Sequence, residues 1–145
     1  MLDAKQLQFY RDEGYVVVRG LLSADEVGTL QAVTDRFMER SRAVTANDET
    51  FDLEPGHSAR EPRLRRIKLP EKRDPAYAAL KHHPGILAIL QQLLGPDIRF
   101  DIMKLNLKPG GGGEAVEWHQ DWAFYPHTND DLLAVGIMLD DMTPE

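Results

Sequence analysis

Six helix-boundary signals punctuate the first 96 residues, and no other feature constrains the fold as much. Asp3 to Glu13 is predicted as a short amphipathic helix with Leu7 and Tyr10 three apart, and Gly14 stands where a left-handed C-terminal residue belongs. In Ser23-Ala24-Asp25-Glu26, the Ser23 hydroxyl can accept from the Glu26 N–H while the Glu26 carboxylate reaches back to the Ser23 N–H, a capping box. The helix that follows runs to about Arg40, with Val27, Leu30, Val33 or Thr34, and Phe37 along one face. Asp74-Pro75 opens another helix, with aspartate as the cap and proline at the first position. His82 and His83 close that helix, where a cation suits the dipole. Pro84 starts one more, which runs through Leu94 and is ended by Gly95-Pro96.

Between and after these helices the patterning turns β-like. Tyr15 to Val18 is apolar and mostly β-branched, a short buried strand by composition. Leu64 to Leu69 reads as a strand ended by Pro70. Ile98 to Leu107 alternates, with Ile98, Phe100 and Ile102 on one face and Lys104 and Asn106 after them. Leu132 to Leu139 is a further apolar strand. Ala43 to Glu61 is polar and unpatterned, a long loop of the length that tends to be functional or disordered. Helices first and strands later imply an α+β fold with helices packed outside a sheet. The last residues, Asp140 to Glu145, do not resemble a domain end.

Composition removes several function classes. A chain of 145 residues is one domain or a piece of one, and 42% hydrophobic residues suffice for a core. A net charge of −7 and a pI of about 5.2 argue against nucleic-acid binding, which needs a basic face. The one basic cluster, Arg60, Arg63, Arg65, Arg66, Lys68, Lys72 and Arg73, is expected to be mainly solvated surface. With no cysteine, disulfides, thiolate nucleophiles and zinc-thiolate sites are excluded. No apolar run reaches the ~20 residues of a membrane span, and the N-terminus lacks an apolar signal core, so a cytoplasmic protein with no membrane partner is expected.

The chemistry concentrates in EWHQDWAFYPHT, Glu117 to Thr128, which follows four glycines, Gly110 to Gly113. On a strand, residues two apart project from the same side, so His119 and Asp121 would converge. A neutral imidazole with a carboxylate suits a divalent metal of intermediate softness, and two histidines with one carboxylate form the iron(II) oxygenase site. The glycines allow a sharp turn into the site. Trp118, Trp122, Phe124 and Tyr125 can wall it against water. His57, His82, His83 and His127 have no clear ligand spacing, and the tripeptide alone is a weak signal, more often a surface pair or an ordinary hydrogen-bonded couple.

Beyond these residues, the chain resembles the phytanoyl-CoA dioxygenase family of iron(II)- and 2-oxoglutarate-dependent oxygenases. The resemblance runs in order through FYRDEGYVVVRGLLSADEVGTLQ (Phe9 to Gln31), HHPGILAILQQLLGPDIRF (His82 to Phe100), MKLNLKPG (Met103 to Gly110) and WHQDWAFYP (Trp118 to Pro126), and ends in the acidic DDMTPE. It implies a double-stranded β-helix, a jelly-roll barrel of cupin-like form with helices packed outside. It implies His119 and Asp121 as two of three iron ligands, with 2-oxoglutarate as cosubstrate, dioxygen and a small-molecule substrate as partners, and succinate and carbon dioxide as coproducts. The carboxylate at Asp121 favours hydroxylation of an unactivated C–H. Lys68 lies where relatives can place a cation near 2-oxoglutarate, and Lys104 and Asn106 alternate toward the same region. The third ligand and the arginine that pairs with the 2-oxoglutarate carboxylate are expected beyond Glu145, so the chain reads as the N-terminal part, residues 1–145, of a single dioxygenase domain. Two readings compete with an oxygenase. One is a non-catalytic jelly-roll module that binds a small molecule or a partner chain. The other is a zinc hydrolase, which ordinarily shows two or more well-spaced histidines. The substrate and the oligomeric state are not readable.

Overall fold

The computed structural model describes residues 1–109, 113, 115–129 and 131–141. Its helices are α1 (Ala4–Glu13), α2 (Ala24–Ser41), α3 (Pro75–Leu80) and α4 (Pro84–Leu94), and its strands are β1 (Phe51–Leu53), β2 (Leu64–Lys68) and β3 (Lys104–Asn106). The three strands form one antiparallel sheet in the order β1-β2-β3. This is an α+β arrangement of helices on a small sheet. The described residues do not by themselves close a double-stranded β-helix.

The helix boundaries follow the local signals. Ser23 and Glu26 form the expected capping box, and Asp3 and Gln6 form a second one that opens α1. Gly14 closes α1 at φ 79° and donates its N–H to Tyr10 O at 2.9 Å. Asp74 caps α3 by accepting from the Ala76 N–H at 2.9 Å. His83 does not close α3, which ends at Leu80. It caps α4 instead, accepting from the Ile86 N–H through Nδ1 at 3.2 Å, while its Nε2 faces Glu26 Oε1 at 3.2 Å. Pro84 at the first helical position requires a cap just before it, so the histidine belongs to the helix that begins there.

The core forms where α2 lies on the sheet. Leu30, Val33 and Phe37 of α2 meet Phe51 of β1, Leu64 and Ile67 of β2, and Tyr77 of α3. Leu64 and Ile67 are three apart, yet both are buried, at 1% and 0% exposure. A bulge reconciles this with the two-residue strand period. Leu53 pairs with Leu64 and Asp52 with Arg66, so Arg65 is an extra residue in β2. The extra residue returns Leu64 to the face of Ile67, which pairs with Phe51. Tyr77 is buried with its hydroxyl 2.6 Å from Thr34 Oγ1, and burial pushes its pKa up.

Several β expectations fail for one reason: a strand needs a neighbour, and intrinsic β preference does not supply it. Tyr15 to Val18 forms no ladder. Tyr15 and Val17 are exposed, and Tyr15 packs edge-on against Phe9 of α1 at 5.3 Å. From Ile98 to Leu107 only Lys104–Asn106 pairs, and Leu132 to Leu139 pairs with nothing described, although Leu139 packs on the core and its carbonyl accepts from Gln31 Nε2 at 2.6 Å.

The segment from Ala43 to Glu61, expected to be a loop, contains β1 and is held at both ends. Asp48 Oδ1 accepts from the N–H groups of Thr50 and Phe51 at 2.6 and 2.7 Å. Asn47 Oδ1 accepts from the Leu53 N–H, and Arg42 Nη1 donates to the carbonyls of Ala59 and Arg60. His57 joins the far ends, with Nε2 3.0 Å from Ser41 O and Nδ1 accepting from the Arg63 N–H at 2.9 Å.

The basic cluster is likewise not simply solvated. Arg73 donates to Lys68 O and Glu49 O, and Lys68 pairs with Asp52. Leu69, at φ 51°, takes the left-handed turn that carries the chain from β2 into Pro70.

Ile67→Ala should lower unfolding stability by about 2–5 kcal/mol, measured by urea denaturation, because Ile67 is wholly buried and its site cannot fully collapse. Asp48→Asn keeps the turn acceptor and removes the charge. Burial raises the Asp48 pKa, but the Phe51 and Thr50 N–H donors and the charges of Lys68 and Arg73 outweigh it and hold the carboxyl below the usual carboxylate range. A depressed folded-state pKa adds stability above the unfolded value and loses it as pH falls through the folded one. The variant should therefore be less stable than wild type near neutral pH, with the gap closing as acid titrates the folded-state carboxyl, in thermal melts across pH.

Candidate metal and cosubstrate site

His119 and Asp121 converge, though not by strand alternation. Gln120 is extended, and Asp121 opens a single 3-10 turn, Asp121–Ala123, whose carbonyl at Asp121 accepts from the N–H groups of Phe124 and Tyr125 at 2.9 and 3.0 Å. The turn brings Asp121 Oδ1 to 3.1 Å from His119 Nε2, with both side chains about one-third exposed.

The other imidazole nitrogen decides what that contact means. His119 Nδ1 stands 2.6 Å from the carbonyl of Glu117. A carbonyl only accepts, so Nδ1 carries the hydrogen. In the neutral ring Nε2 is then a bare lone pair, and it faces a carboxylate oxygen. Two acceptors at 3.1 Å repel unless a cation lies between them, either a second proton on the ring or a metal ion. Two ligand atoms at right angles on a cation with ~2.1 Å bonds stand about 3 Å apart, so the donor set fits a divalent metal. A metal-bound histidine typically donates its other N–H to a carbonyl or carboxylate, as this one does. Among the described residues, no third His, Cys, Asp or Glu joins the pair.

An open cleft of about 690 Å³ adjoins the pair, lined by Gln120, Trp122, Ala123, Leu132 and Ala134 besides His119 and Asp121. The expected aromatic wall is only partial. Trp122 lines the cleft and donates Nε1–H to Asn129 O at 2.9 Å, whereas Trp118 projects fully into solvent. Phe124 sets its ring edge-to-face against the His119 imidazole, with centroids 5.4 Å apart and planes at 88°. Leu132 and Ala134 were readable in the sequence only as an apolar strand, because no local signal tells which part of such a segment lines a cleft.

Lys68, Lys104 and Asn106 come together on the sheet. Lys68 pairs directly with Lys104 and Arg66 with Asn106, all on the face opposite the Phe51–Ile67–Leu105 core face. Lys68 Nζ donates to Asp52 Oδ1 at 2.9 Å, and Arg66 Nε reaches Asn106 Oδ1 at 3.4 Å. Arg66 had no separate signal in the sequence, since its place on this face depends on the bulge. Two lysines directly opposite each other repel. Lys104 Nζ also lies 5.8 Å from the Tyr125 ring, so β3 touches the turn that begins at Asp121.

No helix among the described residues is long and apolar enough to cross a membrane. The chain is 37% identical over 138 residues to a probable alpha-ketoglutarate-dependent hypophosphite dioxygenase of Stutzerimonas stutzeri, covering 95% of this chain and 48% of that protein. It is 29% identical over 145 residues to the ectoine dioxygenase of Bordetella parapertussis, covering 97% and 45%. It is 30% identical over 149 residues to the L-proline trans-4-hydroxylase of Streptomyces griseoviridis, covering 100% and 51%. The chain thus spans about half the length of these curated relatives. Residues 10–145 match the family described as Phytanoyl-CoA dioxygenase (PhyH), and the chain belongs to that family.

Proposed function

We propose that this chain carries the first two metal ligands and part of the cosubstrate site of an iron(II)- and 2-oxoglutarate-dependent dioxygenase that hydroxylates a small molecule at an unactivated C–H. The observation that carries this reading is His119 Nε2 facing Asp121 Oδ1 at 3.1 Å, with Nδ1 committed to Glu117 O. The family membership and the relatives' names agree with it. Residues 1–145 form part of a single dioxygenase domain, whose complete fold is a double-stranded β-helix. The sheet supports this, because one face packs on helices while the other carries polar and charged residues, as the lumen of such a barrel would.

Each side chain has a defined task. The Glu117 carbonyl fixes the neutral His119 tautomer, which leaves Nε2 as the ligand atom. Asp121 supplies a negative ligand, which leaves less net charge on a bound divalent ion. Bound iron and 2-oxoglutarate together with dioxygen supply the oxidation, releasing succinate and carbon dioxide. Lys68 and Lys104, facing each other across β2 and β3, hold a carboxylate of the dianionic cosubstrate, which relieves their mutual repulsion. Asn106 offers a neutral donor beside them. Trp122, Leu132 and Ala134 exclude water from one side of the cleft. The relatives are named for hypophosphite, ectoine and L-proline, which points to a small polar substrate.

Succinate formation from 2-oxoglutarate under air with added iron(II), by a complete dioxygenase domain that contains these residues, tests this. His119→Ala and Asp121→Ala should each reduce it to background, and Lys104→Ala should raise the 2-oxoglutarate KM with less effect on kcat. Wild-type turnover in either ligand variant would show that the ligands are assigned wrongly.

A further inference from the structure

We propose that Phe124 is a positioning residue for His119, holding the imidazole plane so that Nε2 stays aimed beside Asp121. This rests on the metal-site reading above. The Glu117 carbonyl anchors the imidazole at Nδ1, and Nε2 stands 3.1 Å from Asp121 Oδ1. Neither contact prevents the ring from tilting about the line that joins them. Phe124 supplies that restraint, meeting the imidazole at 5.4 Å with the planes at 88°. Such edge-to-face pairs prefer one relative orientation.

The backbone delivers the phenyl ring to this place. The N–H groups of Phe124 and Tyr125 both donate to Asp121 O, so the turn that presents the carboxylate also folds Phe124 back over the histidine five positions earlier. One turn therefore sets both the Asp121 oxygen and the tilt of His119. Phe124 is 67% exposed and belongs to no part of the hydrophobic core. Its ring is thus available for replacement without opening a cavity, and the histidine is the aromatic partner it meets among the described residues.

Cobalt(II) added anaerobically to the full chain gives readouts other than turnover: its affinity by calorimetry and its visible absorption, which reports ligand geometry. Wild type, Phe124→Leu, Phe124→Met, Phe124→Tyr and His119→Ala are compared. Loss of the aromatic contact in Phe124→Leu and Phe124→Met should weaken binding roughly two- to tenfold and change the absorption envelope. Phe124→Tyr should match wild type, and His119→Ala should lose the site. Phe124→Leu or Phe124→Met with wild-type affinity and spectrum, beside a His119→Ala that has lost the site, would overturn the role of Phe124 and leave the metal site standing. Failure of Phe124→Tyr to restore binding would overturn the aromatic basis of the effect. A His119→Ala that binds as tightly as wild type would overturn the metal site itself, and the role of Phe124 with it.

Discussion

The register of β2 against β1 governs the rest of the molecule. With Arg65 bulged out, Leu64 and Ile67 both enter the core under α2, and Arg66 and Lys68 are carried to the opposite face. Removing that extra residue would shift every side chain beyond it to the other side of the sheet. The apolar contacts that hold α2 and the charges that face the candidate cosubstrate region are therefore set by the same local irregularity. Stability and site geometry are not separable in this strand.

The polar face shows how charge is managed once that register is set. Asp52 lies between Lys68 and Arg66 and offsets part of their charge, while Lys104 on the edge strand is met by the face of Tyr125. Neither arrangement places a full anion between Lys68 and Lys104.

What the sequence made legible follows from the range of the interaction involved. Helix ends depend on neighbours within four residues, and Gly14, Ser23, Asp74, Pro84 and Gly95 mark theirs correctly. Strands depend on distant partners. Tyr15 to Val18 has the better β composition but no neighbour, while Phe51–Leu53, inside an unpatterned polar stretch, finds β2. The sequence does not tell which helix His83 serves, because α3 and α4 lie back to back and a histidine suits either a C-terminal cation or a cap. At the site, the spacing of His119 and Asp121 correctly implied convergence but not its cause. A turn closed by the Asp121 carbonyl does the work that pleating was expected to do. The Glu117 carbonyl that fixes the tautomer has no sequence signature, since every residue has a carbonyl.

The N-terminus is fastened far along the chain. The Leu2 N–H donates to Gln92 Oε1 and the Gln92 side-chain amide donates back to Leu2 O, while the Leu2 side chain is 5% exposed. Residues of α1 are made before those of α4, so the anchor of Leu2 is not available until Gln92 has followed. A contact between residues 90 apart adds a long-range closure to a fold whose helix ends are otherwise set locally.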